Sequence, residues 1–304
     1  MTAEALPRAA RSQRAARRGR LLRWLVPMSP AVLLLLLFFT GPILWCLWAA
    51  FTDIALTGAG ASSPQLVGTE NFSRLLSDPA FRQSVLITVW FVIGSAVIGQ
   101  NCLGLLLALL LRGRSGLVRG AVGVVVVGAW VVPEIVAGFV WYAFLSDEGT
   151  LNVLLGRVGL EGTSWLYNLP VLSVIVANVW RGTAFSVLVY SAALSEVPTD
   201  LVDAAAVDGA GPLARLRYVV LPLIRRSVLT NLMLITLQTL AVFTLVFVMT
   251  GGGPGTRSQT MPIYMYQEAF KFFQLGYGTA VALVLLLLGA LFSLVYVRAL
   301  RPEV

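Results

Sequence analysis

The chain alternates long apolar runs with short charged ones, and the run lengths predict its architecture. No charged residue falls between Arg23 and Asp53, Arg82 and Arg112, Arg226 and Arg257, or Lys271 and Arg298. Each interval exceeds the ~20 residues that a helix needs to cross the hydrocarbon of a bilayer. Two more apolar stretches hold few charges: 117–145 with Arg119 near its start and Glu134 inside it, and 169–194 with Arg181. The pattern predicts an all-α membrane protein of six transmembrane helices, over about 25–51, 83–111, 116–146, 169–194, 227–250 and 274–298. An even count places both termini on one side. The chain reads as one membrane domain, with no internal repeat and no soluble part large enough to fold alone.

Charge sets the direction. With the N-terminus in the cytoplasm, the inside segments carry sixteen basic residues and the outside loops only Arg74, Arg82, Arg157, Arg257 and Lys271. That asymmetry follows the positive-inside rule and predicts a multi-pass protein of the cytoplasmic membrane with both termini cytoplasmic. An Arg-rich start before an apolar run also resembles a signal peptide, but the first run is about twice the usual length and five more follow, so a retained helix is expected. Residues 1–24 form a basic tail suited to anionic membrane lipid.

Composition then removes function classes. Hydrophobic residues make up 58% and charged ones 12% of the chain, against about a quarter charged in soluble domains. The net charge of +8 lies in the clusters that set topology, so no nucleic-acid partner is expected. Cys46 and Cys102 both sit in apolar runs, which excludes a disulfide framework. Trp45 stands before Cys46 where a lipoprotein signal needs a small residue. With no histidine, His-ligated zinc and histidine triads are impossible. Gly251-Gly-Gly-Pro254 lacks the Gly-Lys-Ser/Thr of a phosphate loop and the only lysine is Lys271, so this chain holds no cofactor and cannot be its own ATPase.

The most informative polar segment is 195–226. Asp200 is a candidate N-cap with Asp203 three residues on. Ala204, Ala205 and Ala206 are strong helix formers, and Gly209, Gly211 and Pro212 stop the helix. Asp208 sits at the C-terminal end, where the helix dipole disfavours a carboxylate, and the alanines leave almost no polar face for water. A plain surface turn fits these features poorly; a docking helix for a protein partner fits them better.

Asp203-Ala-Ala-Ala-Val-Asp-Gly-Ala210, followed by Leu221-Pro222, resembles the cytoplasmic coupling loop of ABC importer permeases. The family's usual first residue is Glu; Asp203 keeps the charge on a shorter arm. Val67-Gly-Thr-Glu-Asn-Phe72 with Asp78-Pro-Ala-Phe81 is similar to the segment before the second helix of the sugar-type members. Thr250-Gly-Gly-Gly-Pro-Gly-Thr256, Tyr264-Met-Tyr266, Glu268-Ala-Phe270 and Gly276-Tyr-Gly278 resemble their fifth outer segment. The resemblance spans roughly residues 25–300 and points to the carbohydrate branch, on the side of the larger maltose-transporter subunit. It implies a type I importer permease fold that moves a sugar by alternating access. The implied partners are a second permease subunit, ABC ATPase subunits that bind ATP and magnesium, and an extracytoplasmic solute-binding protein. It also implies ATPase coupling through Asp203, Ala204, Ala205, Ala206, Asp208, Gly209 and Ala210. One departure is Thr244, where the family often carries Asp.

The same resemblance implies a substrate pathway at Arg181, Gly182, Phe185, Gln238 and Thr239, where glycine gives room, Phe185 stacks on a sugar face and the polar groups bond hydroxyls. These residues serve equally well as polar helix-packing groups. A mid-span arginine is costly, about 2.5–3.5 kcal/mol, so Arg181 is expected to face water or a partner; Glu134, after Pro133, lines the pathway or meets freed backbone groups. A permease for a polyol or glycerol phosphodiester remains an alternative. An ion-coupled secondary transporter, the lesser alternative, tends to show inverted repeats and several midplane carboxylates, whereas this chain has one membrane glutamate, Glu134, and no visible repeat; a membrane enzyme lacks its catalytic groups.

Overall fold

The computed structural model of the chain describes residues 27–300. The basic tail, the first residues of the first expected span and Arg301 lie outside them. The described residues are almost entirely helical, with one isolated β-bridge between Thr52 and Leu66.

Long apolar helices run over Pro27–Ala50 (α1), Pro79–Leu111 (α2), Pro170–Ser195 (α5), Pro212–Leu240 (α7) and Leu275–Leu300 (α9). Helices α2, α5 and α7 open with proline in the first turn, where its missing N–H costs nothing. At α2 the Asp78 side chain adds a cap by accepting from the Ala80 amide at 2.8 Å. Two internal prolines, Pro42 and Pro222, each follow a π-type turn, at Leu36–Thr40 and Leu216–Val220. The wider turn accommodates the bond that proline cannot make, so neither helix breaks.

Two apolar runs differ from the single helices expected of them. The run 116–146 is split into Gly116–Val131 (α3) and Glu134–Leu145 (α4), with a 102° bend between Gly116–Val131 and Glu134–Arg157. Pro133 is the cause: it holds Val132 extended at φ −56°, ψ 127° and removes a helical donor. The fifth run starts earlier than 227, at Pro212, and ends at Leu240, after which Thr244–Met249 (α8) forms separately. The intervening residues include no proline. Phe243 and Phe247 instead stack, and Tyr266 meets them tilted and edge-on, with ring centroids 5.1–5.3 Å apart. The two broken pieces pack together, since a Cβ on Gly138 of α4 would lie 2.9 Å from Val248 of α8.

Helix α5 is central and touches α2, α3, α4, α7 and α8. Its contact with α2 is close because glycines recur every five residues. A Cβ on Gly94, Gly99 or Gly104 would lie 2.8 Å from Ile175, 2.2 Å from Val179 and 2.3 Å from Ser186. The α2 backbone is π-type over Ile93–Gln100, and i→i+5 bonding keeps residues five apart near one face.

Three apolar clusters stabilise the bundle. One, at the end carrying residues 195–226, joins Ala108, Tyr190, Leu194, Val197, Val220 and Ile224. A middle cluster joins Phe91, Ala137, Val174, Leu245 and Ile263. The far-end cluster includes Phe81, Met261, Tyr264 and Tyr277.

Candidate functional site

The alanine segment folds as a short helix, Thr199–Val207 (α6), set between α5 and α7. Its N-cap is Pro198 with no side-chain cap bond, so Asp200 lies inside the first turn and is not the cap. The carboxylate there still favours the positive end of the helix dipole.

The C-terminal end is a Schellman motif. Gly209 takes φ +83°; its amide donates to the Ala206 carbonyl at 3.1 Å, and the Ala210 amide donates to the Ala205 carbonyl at 2.9 Å. Left-handed backbone costs an L-residue roughly 1–2 kcal/mol, and glycine avoids it.

One face of α6 is anchored and the other is free. Val202 packs on the cluster formed by the feet of α5 and α7, and Ala205 and Ala210 are half-buried. Asp203, Ala204, Ala206, Asp208 and Gly209 are exposed. So are Leu201 and Val207, the latter 88% exposed. Leu213 and Tyr218 extend this apolar surface. Val202 and the short links on either side thus join α6 to the feet of α5 and α7.

The five expected pathway residues have unlike surroundings. Arg181 is half-buried, and its Nε is fully buried without a hydrogen-bond partner among the described residues. Gln238 is exposed. Phe185 is half-buried and lies 6.3 Å from the Trp130 ring. Gly182 does give room, but Gln100 fills it: a Cβ there would be 2.3 Å from Gln100 Oε1. Thr239 is buried and accepts from Asn178 Nδ2 at 3.4 Å. Gly182 and Thr239 thus sit in helix contacts, while Arg181, Phe185 and Gln238 keep accessible surface. Glu134 is half-buried in the first turn of α4, where a carboxylate suits the helix dipole.

Sequence reading missed two polar networks that tie α2, α5 and α7 together. In one, Asn178 Nδ2 also donates to Ser95 Oγ at 3.0 Å, and Gln100 Nε2 donates to the Asn178 carbonyl at 3.2 Å. In the other, Tyr190 donates to Asn101, while Asn231 Nδ2 donates to Ser186 Oγ at 3.0 Å and Tyr190 Oη at 3.1 Å. The available signal was the presence of Gln, Asn and Tyr inside apolar runs, which in a membrane find partners across helices.

At the far end, Tyr264 and Tyr277 donate to Asp78 Oδ2 at 2.6 and 3.2 Å. The Arg74 guanidinium lies 4.3 Å from the Tyr277 ring centre and donates to Gln274 at 2.6 Å. Burial pushes the Asp78 carboxyl up, but bonds from Tyr264, the Ala80 amide and Tyr277 outweigh it and leave the group below its ordinary value. Burial pushes Glu268 up, against the pull of Arg74 and with the help of Asp78. No metal-binding cluster of His, Cys, Asp or Glu occurs among the described residues.

Residues 100–303 match the family described as binding-protein-dependent transport system inner membrane component, and the match includes α6 with its anchor. The chain belongs to that family. A similar permease is the sulfoquinovosyl glycerol transport system permease SmoG of Agrobacterium fabrum, 32% identical over 281 residues, covering 91% of this chain and 89% of the relative. The trehalose/maltose transport system permease MalF of Thermococcus litoralis is 30% identical over 281 residues, covering 90% of this chain and 91% of its own. Among solved structures, a chain of a bacterial ABC transporter that imports the acidic polysaccharide alginate superposes with TM-score 0.78 at 21% identity, over 96% of this chain and 98% of that one. The fold is therefore that of an importer permease, an inner-membrane, multi-pass protein.

Proposed function

We propose that this permease is one of two membrane-spanning subunits of an ATP-driven importer for a sugar or glycoside. ATP and magnesium are bound by separate ATPase subunits, and a solute-binding protein delivers the cargo from outside. The observation that carries this reading is α6: a capped, exposed, alanine-rich helix whose inner face is anchored on α5 and α7 and whose outer face has no partner among the described residues. In operation the ATPases move α6 as a rigid lever, and the feet of α5 and α7 transmit the stroke to the membrane. Both termini and α6 face the cytoplasm, as the arginine distribution requires. The sugar assignment is supported by relatives whose names specify trehalose, maltose and a sulfosugar glycoside.

Arg181, Phe185 and Gln238 form the accessible part of the pathway, and Gly182 and Thr239 hold its walls in register. Arg181 Nε, buried without a partner among the described residues, is a donor that a substrate oxygen would satisfy.

The test is purification of the tagged chain in mild detergent. An ATPase and a second six-span protein are expected to accompany it, and Asp203→Lys is expected to release the ATPase. Recovery of a chain that transports alone, or an α6 accessible to reagents from outside the cell, would overturn the reading.

A further inference from the structure

A groove of about 440 Å³ runs between α2 and α5 at the far end of the bundle, and no proposed function accounts for it. Its walls are mostly apolar and include Ile93, Leu172 and Ile175, while Asn168 and Arg257 stand at its mouth. Its depth follows from helix register. Helices α2 and α5 run parallel, with Gly94 against Ile175 and Gly99 against Val179. One turn before Gly94, Trp90 lies level with the start of α5, and it also lines the groove with 66% of its surface exposed. Trp90 lies about three turns inside α2, at the height of the α5 N-terminus, and tryptophan is enriched where headgroups meet hydrocarbon. Below that level the walls are apolar; above it stands a cation.

Arg257 is tethered but not neutralised. Its Nη1 and Nη2 donate to the Tyr167 and Asn168 carbonyls, each at 3.1 Å, and no carboxylate pairs with it among the described residues. A guanidinium has five N–H donors in a fixed fork, so several remain for a phosphate. Leu172 and Arg181 are nine residues apart on α5, which is two and a half turns at 3.6 residues per turn. The groove therefore faces away from the Arg181 side, so it is not a branch of the pathway.

We infer that this groove holds an anionic phospholipid of the outer leaflet, its phosphate on Arg257 and an acyl chain along Ile93, Leu172 and Ile175. The leaflet assignment rests on the orientation given under Proposed function. Bound there, the lipid spans the α2–α5 contact and the 251–260 loop that Arg257 pins. It fills the groove with groups that match its walls at each depth.

The test uses the assembled transporter in nanodiscs of phosphatidylglycerol or phosphatidylcholine, released gently and weighed intact by native mass spectrometry. Wild type is expected to retain phosphatidylglycerol in preference to phosphatidylcholine. Arg257→Gln is expected to lower that retention about five-fold, the factor equivalent to ~1 kcal/mol per basic residue at an anionic surface. Leu172→Trp fills the groove without touching Arg257 and is expected to abolish retention of either lipid. Arg157→Gln, an outer-loop control, is expected to change nothing. Equal retention in all four proteins overturns the site, and so does equal retention of the two lipids. A Leu172→Cys chain that cross-links to the second permease subunit would show protein in the groove and overturn it too. Uptake is scored separately. Arg257-dependent retention in a complex that moves no sugar keeps the site and removes the proposed function; sugar uptake without retention does the reverse.

Discussion

Gly209 offers the sharpest test of α6 as a lever, because a second glycine two residues away serves as its control. Gly209 has φ +83°, whereas Gly211 has φ −68°. No atom lies within 4 Å of a Cβ built on either residue, so any effect of alanine comes from backbone conformation and not from a clash. Alanine at Gly209 must either accept the left-handed conformation, at roughly 1–2 kcal/mol, or release the 3.1 and 2.9 Å bonds that close the helix. Such an energy shifts the population of the closed end by a factor of about 5–30. The released end includes Asp208 and Ala210, part of the surface offered to the ATPase. Gly209→Ala is therefore expected to reduce solute-stimulated ATPase activity of the assembled complex by about that factor, with ATPase docking weakened in parallel. Asn tolerates left-handed backbone better than Ala, so Gly209→Asn should recover part of the loss. Gly211→Ala should behave as wild type. Full stimulation in Gly209→Ala, or equal damage in Gly211→Ala, would refute the argument.

Other expectations follow from the packing. Asn231→Leu removes the donor that serves Ser186 and Tyr190 at a fully buried position; it should cost about 0.6–1.7 kcal/mol, the range for hydrogen bonds within membranes, read as a lower melting temperature in detergent. Gly104→Leu places a side chain where a Cβ alone would be 2.3 Å from Ser186; monodisperse protein should be lost in size-exclusion chromatography, whereas Gly120→Leu, with open space around it, should be tolerated. Glu268 has its carboxyl pushed up by burial, so the folded state binds the proton more tightly than the unfolded state and stability falls as pH rises above the ordinary value of 4.5. Glu268→Gln should flatten that fall in thermal melts taken across the acid-to-neutral range. Asp78, held below its ordinary value of 3.8, works in the opposite sense: its contribution is present above that value and is lost as pH drops further.

Legibility differed from element to element. Helix α6 was readable because its signals are local: alanines form it, and Gly209 ends it. Its N-cap was not, since Asp200 and Pro198 are both plausible starts and the path of α5 decides between them. The bend at Pro133 could have been read from the proline, but a run of valines and alanines has no polar side to show where the chain turns. The break after Leu240 carries no breaker residue at all; its three aromatics close on one another only when Tyr266 is brought back from the next segment.

Charge spacing along the chain dictates what can surround each stretch. Long intervals without charge cannot be hydrated, so they must be helices in lipid, and clustered arginines cannot be dragged across it, so they fix the side. Which polar groups face each other depends on how the helices pack. In a span where every face is apolar, periodicity carries no direction, and the partner of Asn178 or Asn231 lies on another helix up to 130 residues away. That is why Gly182 and Thr239 lie in helix contacts with Gln100 and Asn178, and why Arg181, in the middle of α5, keeps a buried donor with no partner among the described residues.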